Sequence, residues 1–188
     1  MEAKTTRQGV SKRATAQAKS QTKSKAPLMA ATPMAAYDYS ATYLPDISAY
    51  VSLFQATPED RVKLIRKGVK ADSLVNTSRI MGISRERLFA TLNFPAGTVK
   101  RKIAQDELLS PDQSERIIGL QKLIGQVESM VIESGNPEGF DPAKWVANWL
   151  ETPCPALGGD KPADYMDTIE GQRIVANLLA MMQSGAYA

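Results

Sequence analysis

Histidine is absent from the 188 residues, and with it the side chain that most often serves as general acid or base near neutral pH and as a zinc ligand. One cysteine, Cys154, stands between Pro153 and Pro155. It has no second thiol to bridge, which fits a reducing compartment, and no imidazole to activate it as a nucleophile. Its plainer reading is a half-buried small residue in a proline-rich turn. No GxGxxG, GxxxxGKS or GxxxxGKT phosphate cradle occurs. The apolar runs fall far short of the roughly 20 residues that a bilayer crossing needs. The basic first residues lead into no apolar segment of a secretory signal. These absences predict a cytoplasmic chain that is not an enzyme and uses no metal or cofactor. Apolar residues still make up 43% of the chain, enough for one ordinary domain or two small ones.

Charge is unevenly spread. Residues 1–33 hold Lys4, Arg7, Lys12, Arg13, Lys19, Lys23 and Lys25 against Glu2 alone, among Ala, Ser, Thr and Gln. That composition predicts a disordered basic arm, able to touch phosphates without sequence preference and equally well explained as a solvated tail. Taking these seven basic residues and one acid from the chain's 23 and 20 leaves 16 and 19, so the net +3 belongs to the arm. Residues 34–56, with Tyr37, Tyr39, Tyr43 and Tyr50 among small residues, read as an irregular connector.

Beyond the connector the pattern is helical. Thr57-Pro58-Glu59-Asp60 supplies a capping hydroxyl, a proline and first-turn acids, which predicts a helix to about Lys67 that stops at Gly68. A second helix is expected over residues 72–81 and a third, capped by Ser84, over 85–92. Ser110-Pro111-Asp112-Gln113 forms a capping box. It opens the most regular helix, in which Ile117, Leu120, Ile124, Val127 and Val131 recur at three and four, widened by Ile118, Leu123 and Met130. Ser134-Gly135-Asn136-Pro137 stops it. Asp141-Pro142 begins another helix, with Trp145 and Trp149 on one face. After the prolines and Gly158-Gly159, a short turn near Pro162 precedes a last helix from Thr168. No stretch alternates with the period of a strand. The expected fold class is all-α, with residues 57–108 as one domain, for DNA binding and dimerisation, and 109–188 as a second.

Residues 85–104 match the spacing of a helix-turn-helix, with Asn93 placed where the turn needs tolerance of positive φ. Leu88, Leu92, Phe94 and Val99 would lock the two helices. Thr98, Lys100, Arg101 and Lys102 would meet DNA, through phosphates and, for arginine, a guanine edge. The plain alternative is a solvated basic face on two packed helices. Phe89 stands where this motif generally has a small residue.

The C-terminal half carries Ser114-Glu115-Arg116, Gly139-Phe140-Asp141, Trp145, Trp149-Leu150, Pro153, the run from Pro155 to Pro162, Asp167-Thr168, Gly171 and the closing Gly185-Ala186-Tyr187-Ala188. With these, residues 109–188 resemble the toxin-binding domain of the Xre/ParS-type antitoxins, the partners of RES-domain toxins. Residues 64–102 are similar to that family's degenerate, Xre-like helix-turn-helix. The resemblance implies a complex with a RES-domain toxin that consumes NAD, in which this chain covers the toxin's active site. It also implies that the complex represses its own operon by binding operator DNA. The toxin chemistry, NAD degradation or ADP-ribosylation, is left open.

Trp145, Trp149, Leu157, Gly158, Gly159, Tyr165, Gly185, Ala186, Tyr187 and Ala188 are the expected toxin contacts. Tryptophan and tyrosine anchor interfaces, although a small helical domain also needs large fillers, and one tryptophan is expected in the core. The two glycines equally suit a tight connection. The last residues lie beyond the final helix, so insertion into a partner's pocket is their best functional reading, with fraying as the alternative. A homodimer within the complex is expected, because helix-turn-helix regulators read paired half-sites. The competing reading is a stand-alone regulator whose C-terminal half only dimerises. An enzyme built on Glu115, Glu128 and Glu133 is disfavoured, since these fit the solvated side of an amphipathic helix.

Overall fold

The structure, a computed structural model, describes residues 48–135 and 138–185. Among these residues it contains eight α-helices, in order α1 (Ser48–Gln55), α2 (Pro58–Lys67), α3 (Asp72–Met81), α4 (Arg85–Thr91), α5 (Ala96–Ala104), α6 (Pro111–Glu133), α7 (Pro142–Leu150) and α8 (Ile169–Ser184). The chain is all-α, as its periodicity predicts.

The long helix α6 is the helix on which the described residues pack. Its 23 residues span about 35 Å at 1.5 Å per residue. Ser110 Oγ accepts the Gln113 amide while the Gln113 side chain accepts the Ser110 amide, so the capping box is complete. Ile117, Leu120 and Ile124 are fully enclosed, with Ile118 and Leu123 at 2% exposure. A stripe that wide needs covering from several sides, and α1, α2, α7 and α8 all pack on it. Each buried Leu or Ile contributes about 1.5–3 kcal/mol over its exposed state, whereas an exposed ion pair contributes about 0–1 kcal/mol. Burial around α6 therefore decides the architecture.

Residues 48–55, inside the stretch read as a connector, form α1. Ala49, Tyr50 and Leu53 are buried at 1% exposure. The helix lies so close to α6 that a Cβ on Gly125 would stand 1.9 Å from the Tyr50 carbonyl oxygen, so only glycine permits this crossing. Lys70 and Leu108 form an isolated antiparallel bridge. Ala71 N–H donates to the Glu107 carbonyl and Leu109 N–H to the Val69 carbonyl, at 3.0 and 2.8 Å. The expected boundary near residue 108 thus coincides with a backbone pairing, and one continuous apolar core includes residues from both sides of it.

Candidate functional site

The α4–turn–α5 unit is built as a helix-turn-helix. Ser84 Oγ accepts the Arg87 amide at 3.1 Å and starts α4. The turn passes through Asn93 at φ +50°, the left-handed region that asparagine tolerates better than most residues. Leu88, Leu92 and Val99 are fully buried and Phe94 nearly so, the lock the sequence predicts. Phe89 is buried at 1%, so its bulk is absorbed by the core. Arg116 of α6 braces the turn: its guanidinium donates to the Leu92 carbonyl at 2.7 Å and the Asn93 carbonyl at 3.2 Å, and lies 5.1 Å from the Phe94 ring centre.

The four residues expected to meet DNA do not form one free cationic row. Thr98, Lys100 and Arg101 are exposed. Lys100 pairs with Glu86 of α4 at 3.0 Å, which holds the Glu86 carboxyl below its usual range. Arg101 pairs with Glu107 at 2.8 Å. Lys102 is half-buried and its ammonium donates to the Leu108 carbonyl at 2.9 Å.

On the C-terminal side, Asp141 Oδ1 accepts the Lys144 amide and caps α7. Ala143, Val146, Ala147 and Leu150 turn into the core, leaving Trp145 and Trp149 half-buried on a neighbouring face. Their rings stack with centres 5.8 Å apart and planes 9° from parallel, and Phe140 lies against Trp145 at 6.2 Å. Sequence reasoning divided the two tryptophans between core and contact. The structure puts both in one aromatic ladder.

The loop after α7 closes on itself: Cys154 N–H donates to the Asp160 carbonyl and Gly159 N–H to the Cys154 carbonyl, at 2.9 and 3.0 Å. Gly158 and Gly159 take φ values of +70° and +98°, which side chains resist. Leu157 is half-buried at its tip. The Tyr165 hydroxyl donates to Asp160 Oδ2 at 3.2 Å, a bond that raises its pKa and pins the loop. Met166 is core, while Met181 and Met182 are 38% and 40% exposed. Gly185 caps α8 in the left-handed conformation. It stands at the far end of that helix, about 26 Å from Thr168 by helical rise. Ala186, Tyr187 and Ala188 lie outside the described residues.

Sequence reasoning missed the link between these two parts. Glu151, at the end of α7, pairs with Arg87 of α4 at 3.0 Å and with Lys161 of the loop at 3.2 Å. Partners 64 and 10 residues away carry no sequence periodicity, so no local signal could have exposed the bridge. Among the described residues no group of His, Cys, Asp and Glu could hold a metal ion, and no helix is long and apolar enough to cross a membrane.

Comparison with known proteins gives this arrangement a context. Residues 60–122 match the antitoxin Xre-like helix-turn-helix domain, and residues 139–185 match the antitoxin Xre/MbcA/ParS C-terminal toxin-binding domain. The first match runs beyond α5 into the first half of α6. The Prs ADP-ribosylating antitoxin of Sphingobium sp. (strain YBL2) is 46% identical over 140 residues, 74% of this chain and 88% of that relative. With both domains in order and a relative this similar over most of its length, the chain belongs to the Xre/MbcA/ParS antitoxins, the helix-turn-helix antitoxins of toxin-antitoxin systems.

Proposed function

We propose that this antitoxin neutralises a RES-domain toxin that consumes NAD, by covering the toxin's active site without covalent chemistry of its own. The observation that carries the reading is the toxin-binding domain at residues 139–185, which holds a stacked, half-exposed tryptophan pair on α7 and, after that helix, a closed glycine loop. Rigid aromatic side chains supply large contact area at small entropic cost, the property of interface anchors. Trp145, Trp149, Leu157, Gly158, Gly159 and Tyr165 form the anchoring surface. Gly185, Ala186, Tyr187 and Ala188 enter the toxin's pocket. The name of the Sphingobium relative couples an antitoxin to ADP-ribosylation, which favours a toxin that uses NAD as an ADP-ribose donor over one that only degrades it.

The second part of the proposal is autorepression in the cytoplasm as a homodimer bound to operator DNA. Thr98, Lys100, Arg101 and Lys102 contact the duplex, and the cations exchange Glu86, Glu107 and the Leu108 carbonyl for phosphates. Exposed ion pairs are worth about 0–1 kcal/mol, so releasing them costs little beside the counterion release that drives phosphate binding. The experiment is co-expression: NAD level and growth are followed in cells expressing the neighbouring gene, with and without this chain. Depletion and arrest by the neighbour, both reversed by the antitoxin, are expected. A neighbour that neither lowers NAD nor ADP-ribosylates a cellular protein sinks the assignment of the toxin.

A further inference from the structure

Between α2 and α8 runs a groove of about 500 Å³, within the ~300–1,000 Å³ typical of small-ligand sites. Its floor is one face of α6, with Ile118, Lys122 and Leu123, and its walls include Val62 of α2 and Ile169 of α8. Val62 and Ile169 are 43% and 44% exposed. The fold leaves these two aliphatic side chains facing open space.

Four of the polar side chains of the groove are committed to the protein itself. Gln126 donates to the Ala176 carbonyl at 3.0 Å, and Gln172 donates to the Arg116 and Met166 carbonyls at 3.0 and 2.9 Å. Arg61 donates to the Phe54 and Ala56 carbonyls, and Arg173 pairs with Glu170. Lys122 differs. It is half-buried, its pKa is lowered by burial and then by the nearby Arg61, and no ion pair or hydrogen bond reaches its ammonium among the described residues. Glu115, seven residues earlier on α6, makes no ion pair with it among the described residues. A half-buried ammonium beside a guanidinium is costly unless an anion joins it.

We propose that this groove is a binding site for a small anionic amphiphile of the long-chain carboxylate class, its carboxylate on Lys122 and its alkyl chain along Val62, Leu123 and Ile169. Lys122 is the groove's one cation without a hydrogen bond or ion pair among the described residues, and with the aliphatic side chains beside it calls for one anionic group and an apolar body. A second copy of the chain fits poorly, since two-fold symmetry would set Arg61 and Lys122 against their own counterparts.

The test is calorimetric titration of the full-length protein with dodecanoate below its micelle concentration, beside dodecanol as the neutral analogue. Saturable one-to-one binding of dodecanoate is expected, at least tenfold tighter than dodecanol. Lys122→Met keeps the apolar stem and should erase that preference, while Val62→Glu, an exposed position, should weaken dodecanoate tenfold or more. Thermal melts establish that both variants fold, and if one does not, the other together with the dodecanol comparison decides. Absence of saturable binding overturns the proposal, as does equal affinity for the two ligands or an undiminished preference in Lys122→Met.

Discussion

Glu151 is one carboxylate shared by two cations from separate parts of the chain. Burial works against its charge, but the hydrogen bonds and charges of Arg87 and Lys161 outweigh it, and the net effect is a pKa below the usual glutamate range. A carboxylate whose folded pKa is depressed contributes stability above its unfolded value of about 4.3, and that contribution is lost as pH falls through the lower folded value. The side chains of Arg87 and Lys161 are 48% and 46% exposed. Solvent screening therefore keeps each pair to about 0.2–1 kcal/mol. For a chain of this length, Glu151→Gln, which breaks both pairs, should lower Tm by about 1–8 °C at pH 7 and by progressively less toward pH 3, as the carboxylate protonates through its depressed folded pKa. Melts at the two pH values check this. A deficit that persists in acid would show that Glu151 acts through packing rather than charge.

Elements were legible wherever a local capping rule wrote them. Thr57, Ser84, Ser110, Asp141 and Thr168 each accept the backbone N–H three residues on, as the side-chain chemistry of these residues predicts. Helix α1 was missed for the opposite reason. Eight residues give too short a period to read, and what stabilises α1 is Gly125, 75 positions later. The ion pairs of α5 were equally hidden. Sequence spacing placed Lys100 and Arg101 on a candidate recognition helix, but it could not show that Glu86 and Glu107 already neutralise them. That pairing shapes the expected behaviour of the helix on DNA. Replacing Lys100 and Arg101 with alanine should weaken operator binding and lower the salt slope by about two counterions. Glu86→Gln, which frees Lys100, should strengthen binding at low salt. Gel shifts across a salt series measure both effects, and an unchanged slope in the double variant would place recognition elsewhere on the molecule.

At the scale of the whole molecule, the two candidate toxin contacts are separated by the length of α8. Tyr165 precedes its start in the chain and Gly185 closes its end, with about 24 Å of helix between. An interface of ordinary size covers about 800 Å² per partner, a patch roughly 30 Å across, so one toxin can reach both. Their chemistry differs. The stacked tryptophans and the pinned loop are rigid and apolar, as affinity anchors are. The last residues, Gly185-Ala186-Tyr187-Ala188, are small apart from one tyrosine and suit a narrow pocket better than a broad contact. Affinity and inhibition should therefore separate on mutation. Removing residues 185–188 should restore toxin activity while changing Kd by less than tenfold, whereas Trp149→Ala should weaken the complex by tenfold or more with the tail still inhibitory at saturating antitoxin. Titrating toxin activity and binding side by side for the two variants distinguishes the cases: if truncation removes both in step, the tail is an anchor, and occlusion must come from the loop and the tryptophans.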